Sequence, residues 1–262
     1  SDRIMRLIPS PENGSDENLR QAIEDHLKIK PYTEIVANGH KLIWSLPNEN
    51  AWWRARNLLT VEVETIAWLD AFDPDDILLD VGANMGLYSL YAGRAGHRVF
   101  SFEPESNNFA LLNTNIYANK LSEKITAWCA ALSNKDGLDR LYLSWFWEAG
   151  SNHSFGANVD DKLNPRKSAH VQGAIGVRLD TLIEQQSVPV PNHIKIDVDG
   201  FEHKVIEGGL GTLKNPQLKS VLVEMNRRQP DHRYIFCIME DHGFHCPESF
   251  IKLAEYRGGH FD

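Results

Sequence analysis

Cysteine is scarce in this chain. Its 262 residues include three, Cys129, Cys237 and Cys246, and none forms a C-x-x-C pair. Neither a disulfide framework nor a thiolate zinc site is expected, and a reducing, cytoplasmic location is. A basic excess is also missing: 27 Lys and Arg stand against 36 Asp and Glu, giving a net charge of −9. A nucleic-acid partner, which usually meets a basic face, is not expected. No apolar run is long enough to span a membrane. The opening SDRIMRLIPSPENGSDENLR lacks the apolar core of a signal peptide and begins with Ser, as a chain that is processed, trimmed or cut from something longer would. Internal repeats and low-complexity segments are absent. What is present is a 42% hydrophobic composition, enough for a substantial core in one domain with a small extension.

Residues 1–16 are polar and read as irregular. ENLRQAIEDHLKI (17–29) has helical spacing, and TEIVANGHKLIWSL (33–46) reads as a hairpin around Asn38-Gly39. ENAWWRARNLLTVEVETIAWLDAF (49–72) is apolar at helical spacing, with a break at Thr60-Val61. From residue 77 strands and helices alternate. Strands are expected over 77–82, 97–104, 125–132, 193–200, 220–226 and 250–257, and helices over 85–96, 105–120, 201–210 and 233–244. A further strand, LYLSWFW, precedes the polar loop at 148–156. Repeated β-α-β units imply an α/β fold, a mostly parallel sheet with helices on both faces. Ligands then bind beyond the carboxyl ends of the strands. That places Asp80, Glu103, Asp197 and Glu224, from four different strands, along one edge.

The first strand end is the most informative. LLDVGANMG sets Gly82, Asn84 and Gly86 between a strand and a helix, where glycine permits a sharp turn and close approach of a ligand. Glu103 closes the next strand and is placed to accept both hydroxyl hydrogens of a ribose. A pyrophosphate-binding loop would read G-x-G-x-x-G without an adjacent acid. Here the loop is G-x-N-x-G, and Asp80 precedes it by two residues. A carboxylate there repels a pyrophosphate and suits a cofactor bearing an ammonium and a sulfonium, S-adenosyl-L-methionine (SAM).

DVGANMGLYSL, VFSFEPE, CAALSNKDG and IKIDVDGFEHKVIEGG, in this order and spacing, resemble the FkbM-type SAM-dependent methyltransferases, over about residues 60–257. The resemblance implies a class I methyltransferase (Rossmann-like) fold with a seven-stranded sheet whose last strand is antiparallel. It also implies methylation of a hydroxyl, often on a sugar or secondary metabolite. Residues 1–60 would then be an N-terminal extension of helix and hairpin, and 61–262 the SAM-binding domain. Carried over by position, Asp80, Gly82, Asn84 and Gly86 form the cofactor loop and Glu103 the ribose clamp. Pro104 and the Ala130–Ala131 turn border the adenine, where CAALS offers no acid and backbone groups or Ser133 would serve.

The acids of HIKIDVDGFE are candidates for the chemistry. Methyl transfer to an alcohol is an in-line displacement that needs positioning and a proton acceptor. Asp197 and Asp199, two residues apart, share a face if the strand stays regular, and Lys195 lies on that face too. Glu202, in the first turn of the next helix, either touches substrate or answers the helix dipole. The loop EAGSNHSFG supplies Ser151 and Asn152 as acceptor contacts and His153 as a rival base. Glu224 and Asn226 end the next strand. An oxygen-rich magnesium site with Asp197 is conceivable there, but the preferred reading gives Glu224 to Lys195, an Arg or substrate hydroxyls, with no metal. His193, His203 and His245 have no ligand-like spacing. Trp52, Trp53, Trp145, Phe146 and Trp147 suit packing more than sugar binding. The leading expectation is a SAM-dependent O-methyltransferase acting on a small molecule or sugar. The alternatives are an NAD-type oxidoreductase and an inactive SAM-fold binding module.

Overall fold

The computed structural model describes residues 20–21, 31–160, 162–225 and 230–248. It opens with the expected hairpin, β1 (Tyr32–Ala37) against β2 (His40–Ser45). Asn38 and Gly39 turn it with φ of 47° and 83°, the two left-handed positions that a tight hairpin turn requires. Two helices follow, α1 (Glu49–Arg56) and α2 (Val63–Leu69), separated where the sequence suggested a break. Asn48 caps α1 by accepting the Ala51 N–H at 2.9 Å.

The centre is a parallel sheet of β3 (Ile77–Val81), β4 (Arg98–Phe102), β5 (Ile125–Trp128), β10 (His193–Ile196) and β11 (Ser220–Val223), ordered β11-β10-β3-β4-β5. Between them run α3 (Leu87–Ala95), α4 (Ser106–Ala118), α5 (Leu179–Glu184) and α6 (Glu202–Glu207), and α7 (Pro230–Asp241) follows. Period-two alternation sends successive side chains to opposite faces. Leu78, Val99 and Ile125 pack with Tyr91 of α3, Leu112 of α4, and Trp44 and Ala55 of the N-terminal segment. Leu79, Phe100, Ile194 and Ile196 pack on the other side with Val205 of α6 and Ile235 of α7. Helices therefore cover both faces. The boundary drawn at residue 60 does not separate one core from another, because the hairpin and α1 share the first.

A second sheet of four strands was not anticipated. It joins β6 (Ala131–Leu132), β9 (His170–Val177), β7 (Gly137–Leu143) and β8 (Ser154–Phe155) in that order. The expected strand at 125–132 breaks at Cys129-Ala130, and its halves enter different sheets. β9 escaped notice because HVQGAIGV is largely exposed and carries no clean apolar alternation. The expected single sheet of seven strands is thus a five-stranded parallel sheet beside a four-stranded one among the described residues. The strand expected at 250–257, most of the helix at 17–29 and Asn226 lie outside the described residues. No helix among the described residues is long and apolar enough to cross a membrane. Cys129, Cys237 and Cys246 are free and exposed.

Candidate functional site

A cavity of about 250 Å³ opens beyond the carboxyl ends of β3, β4 and β10. The loop after β3 forms a stretch of its wall. Gly82 and Ala83 donate their N–H groups to the Phe102 carbonyl at 2.9 and 3.1 Å, which ties the loop to the end of β4. A Cβ on Gly82 would lie 1.7 Å from the Asp197 carbonyl oxygen. The demand for glycine thus comes first from the neighbouring strand end. Gly86 is not on the cavity wall; a Cβ there would meet Leu112 and Leu90 at 2.5 and 2.6 Å. Asn84, at φ 51°, reaches across to donate to the Gly150 carbonyl at 2.7 Å.

Glu103 projects from the end of β4 into this cavity. Its carboxyl accepts the Asn84 and Glu105 N–H groups, each at 2.8 Å. Burial nevertheless pushes its pKa up to about 8, against the pull of those two bonds. Pro104, Ala130, Ala131 and Ser133 continue the wall. Asn108, at the start of α4, also faces it, with Nδ2 donating to Gly150 O at 3.0 Å and Oδ1 buried without a partner.

Beneath the cavity runs a buried polar row. Lys195, Asp80 and Ser101 occupy adjacent positions on β10, β3 and β4. Ser89 of α3 donates to Asp80 Oδ2 at 2.5 Å and bonds Ser101 at 2.7 Å. Asp80 is 1% exposed, lies behind the cavity wall, and keeps Oδ1 without a partner. Burial raises its pKa, and the charge of Lys195 opposes the rise. Lys195 sits over the Tyr88 ring and donates to Asp197 Oδ2 at 3.0 Å. A buried ammonium is costly unless paired. Burial lowers the pKa of Lys195, but Asp197, Glu62 and Asp80 outweigh it, and the net shift is upward.

The strand carrying the two aspartates ends at Ile196. Asp199 turns into the left-handed region at φ 56°, followed by Gly200 at φ 106°. The regular i, i+2 face expected from the sequence is lost, yet both aspartates line the cavity. Glu202 explains the bend: it is 2% exposed, and its Oε1 accepts the N–H groups of Val198 and Gly200 at 2.9 and 3.2 Å. It braces the turn from behind. Burial tends to raise Asp197, but the Lys195 charge, then the Glu224 hydrogen bond, hold it down at about 2. Glu224, an exposed residue at the mouth, is raised well above its ordinary pKa, first by the charge of Asp197, then by burial of its carboxyl. Asp199 is pushed up to about 7, first by burial, then by Asp197; the His153 N–H, donated at 3.1 Å, partly opposes this.

The polar loop after β7 supplies Ser151 and His153 to the wall. His153 Nδ1 accepts the Ser144 N–H at 3.3 Å, and its buried Nε2 has no partner. The neutral ring therefore carries its proton on Nε2. Burial, then Arg166 and Arg54, push its pKa down to about 4. The Asn152 carbonyl is taken by Arg166 and by the Ser144 hydroxyl. The loop itself is fastened to the N-terminal segment: Asn48 donates to Glu148 O at 2.9 Å, and Asn50 and Arg54 both donate to Ala149 O.

The structure thus gathers Gly82, Asn84, Glu103, Pro104, Ala130, Ala131, Ser151, His153, Asp197, Asp199 and Glu224 on one cavity. Asp80, Gly86, Lys195 and Glu202 support it from outside. Sequence reading missed Arg54, Glu62 and Asn108, which also line it. No local pattern marks the first two, because loop and sheet contacts far along the chain bring them in.

A family model described as the methyltransferase FkbM domain matches residues 80–246. The chain is similar to a hexuronic acid methyltransferase, AglP, of Haloferax volcanii, at 26% identity over 189 residues covering 72% of each chain. It is also similar to the 31-O-demethyl-FK506 methyltransferase FkbM of Streptomyces tacrolimicus, at 25% identity over 194 residues, 65% of this chain and 73% of that one. Among solved structures, methyltransferase FkbM from Methylobacillus flagellatus overlaps 75% of this chain and 50% of its own, with TM-score 0.44 and 15% identity.

Proposed function

The chain belongs to the FkbM methyltransferase family, and from that premise we propose that it transfers a methyl group from SAM to a hydroxyl of a small molecule or sugar. The observation that carries this reading is the pair of carboxyls, buried Glu103 and half-buried Asp199, that follow different strands and face one cavity. Burial, more than any neighbouring charge, raises each of them to titrate near neutrality.

The donor set fits SAM. Glu103 would accept the ribose hydroxyls, Pro104, Ala130 and Ala131 would flank the adenine, and the Gly82–Asn84 turn would meet the amino-acid end. The orphaned acceptor Asn108 Oδ1, on the cavity wall, suits a ligand rich in N–H and O–H donors. SAM supplies a methyl group already activated on a sulfonium. The protein must hold an acceptor oxygen in line and remove its proton.

Asp199 is the base in this reading, because its carboxyl is raised into the range where it both ionises and accepts a proton at neutral pH. Asp197 keeps its charge on Lys195 and thereby tunes Asp199. His153 is neutral and its accepting nitrogen is taken by the Ser144 N–H, so it does not take the acceptor's proton. Ser151 and Glu224 border the acceptor, while Asn152 and Glu202 hold the backbone in place. Nothing in the site favours the NAD alternative, which needs a phosphate-binding loop free of acids.

Calorimetry with SAM, S-adenosylhomocysteine and NAD, followed by a radiolabelled-methyl screen of alcohol and sugar acceptors, tests the proposal. The expected result is binding of the first two ligands and an alkali-stable methyl ether. Binding of NAD alone, or SAM binding without product on any acceptor, would sink it. An alkali-labile product would move the acceptor atom from a hydroxyl to a carboxyl.

A further inference from the structure

The family match starts at residue 80, yet two side chains on the cavity come from before it. Arg54 is carried by α1, and Glu62 stands just ahead of α2. Arg54 is half-buried, and its backbone packs in the shared core, where Ala51 and Ala55 are fully buried. Its Nε donates to Ala149 O at 3.0 Å, which aligns the side chain along the loop that leads to His153. The two terminal nitrogens have no hydrogen-bond partner among the described residues. A guanidinium held by one edge, with its other edge open on a cavity, is set to receive a planar bidentate anion.

Lys195 is matched by Asp197 at 3.0 Å. Glu103 and Asp199 titrate near neutrality, and Glu224 is raised and hydrogen-bonded to Asp197. On the wall, Arg54 brings a positive charge among these acids. Arg54 is also close enough to Asp197, Asp199 and His153 to lower the pKa of all three, so an anion on Arg54 lies beside the proposed base.

We infer that Arg54 binds a carboxylate on the acceptor, which makes the substrate class a hydroxy acid or acidic sugar and not a neutral alcohol. This rests on the methyltransferase reading of the site. A singly charged carboxylate matches one guanidinium. A dianionic phosphate would be repelled by Asp197 and Glu62.

Three probes decide it: methyl β-D-glucuronide, methyl β-D-glucoside and glucose 6-phosphate, titrated calorimetrically into the protein with S-adenosylhomocysteine present. The glucuronide should bind at least about tenfold tighter than the glucoside, as a charge-assisted bidentate pair requires. Arg54→Gln, which keeps a donor for Ala149 O, should bring the two within about threefold, and Arg54→Lys should retain some of the preference. Equal binding in the unmodified protein, no binding of any probe, a preference for the phosphate, or a preference that survives Arg54→Gln would each overturn the inference. If Arg54→Gln does not fold, the unmodified protein and Arg54→Lys decide. Methylation of the glucoside without any preference would refute this inference and leave the transfer reading standing. Arg54-dependent glucuronide binding without methylation of any hydroxyl would do the reverse.

Discussion

Asp199→Asn is the substitution that bears most directly on the chemistry. The amide keeps the shape and an oxygen for the His153 N–H, and Asn tolerates the left-handed backbone that position 199 requires. What it removes is basicity. With its pKa at about 7, Asp199 is half ionised near neutrality and about one-tenth ionised a pH unit lower. Turnover at saturating SAM and acceptor should therefore rise about tenfold per pH unit up to about pH 7 and level off above about pH 8. An ordinary exposed carboxylate, with a pKa of about 4, would leave the profile flat over this range. The amide variant should lower the plateau by about 10²–10⁴, a barrier increase of roughly 3–5 kcal/mol, and should abolish the rising limb. Asp197→Asn should move the limb to lower pH, since burial and then the Asp197 charge hold Asp199 up. The assay is initial-rate methyl transfer from about pH 5.5 to 9, with SAM affinity measured in parallel. A flat profile in the unmodified protein, or near-normal turnover in Asp199→Asn, refutes the assignment. A large loss in His153→Ala beside that normal turnover would transfer the role to the loop.

Glu103 should show itself in binding and not in turnover. Its carboxyl, held up at about 8 by burial, must ionise to accept two ribose hydroxyls, so SAM affinity should climb with pH to about 8 and then level. Glu103→Gln should weaken SAM by about 1.5–3 kcal/mol and remove that component of the pH dependence; unchanged calorimetric affinity across the range would exclude the ribose role. Gly82→Ala tests the packing of the two strand ends, where the new Cβ would stand 1.7 Å from Asp197 O at a backbone φ of +82°. A loss on the order of 3 kcal/mol or more in denaturant unfolding is expected, and an unchanged unfolding midpoint would show that the loop moves aside at little cost.

Local chemistry determined a good deal from the sequence alone. The Asn38-Gly39 hairpin, the break between α1 and α2, the alternation of strands and helices, and an acid at the end of β4 are all encoded within a few residues. Turn chemistry and side-chain periodicity act at that range. The bend after Ile196 is partly local too, since Gly200 permits it. The tertiary structure decided what these residues can do. Arg54 enters the site only because Ala149, far along the chain, fixes it there. Gly82 must be glycine because the backbone of Asp197 passes beside it. The halves of 125–132 diverge because each finds a different neighbouring strand. Two aspartates two residues apart read alike in the sequence, yet Asp197 is held ionised by Lys195 while Asp199 is raised toward neutrality. A carboxylate's basicity depends on burial and on nearby charge, and both are set by side chains that only the folded chain brings within a few ångströms.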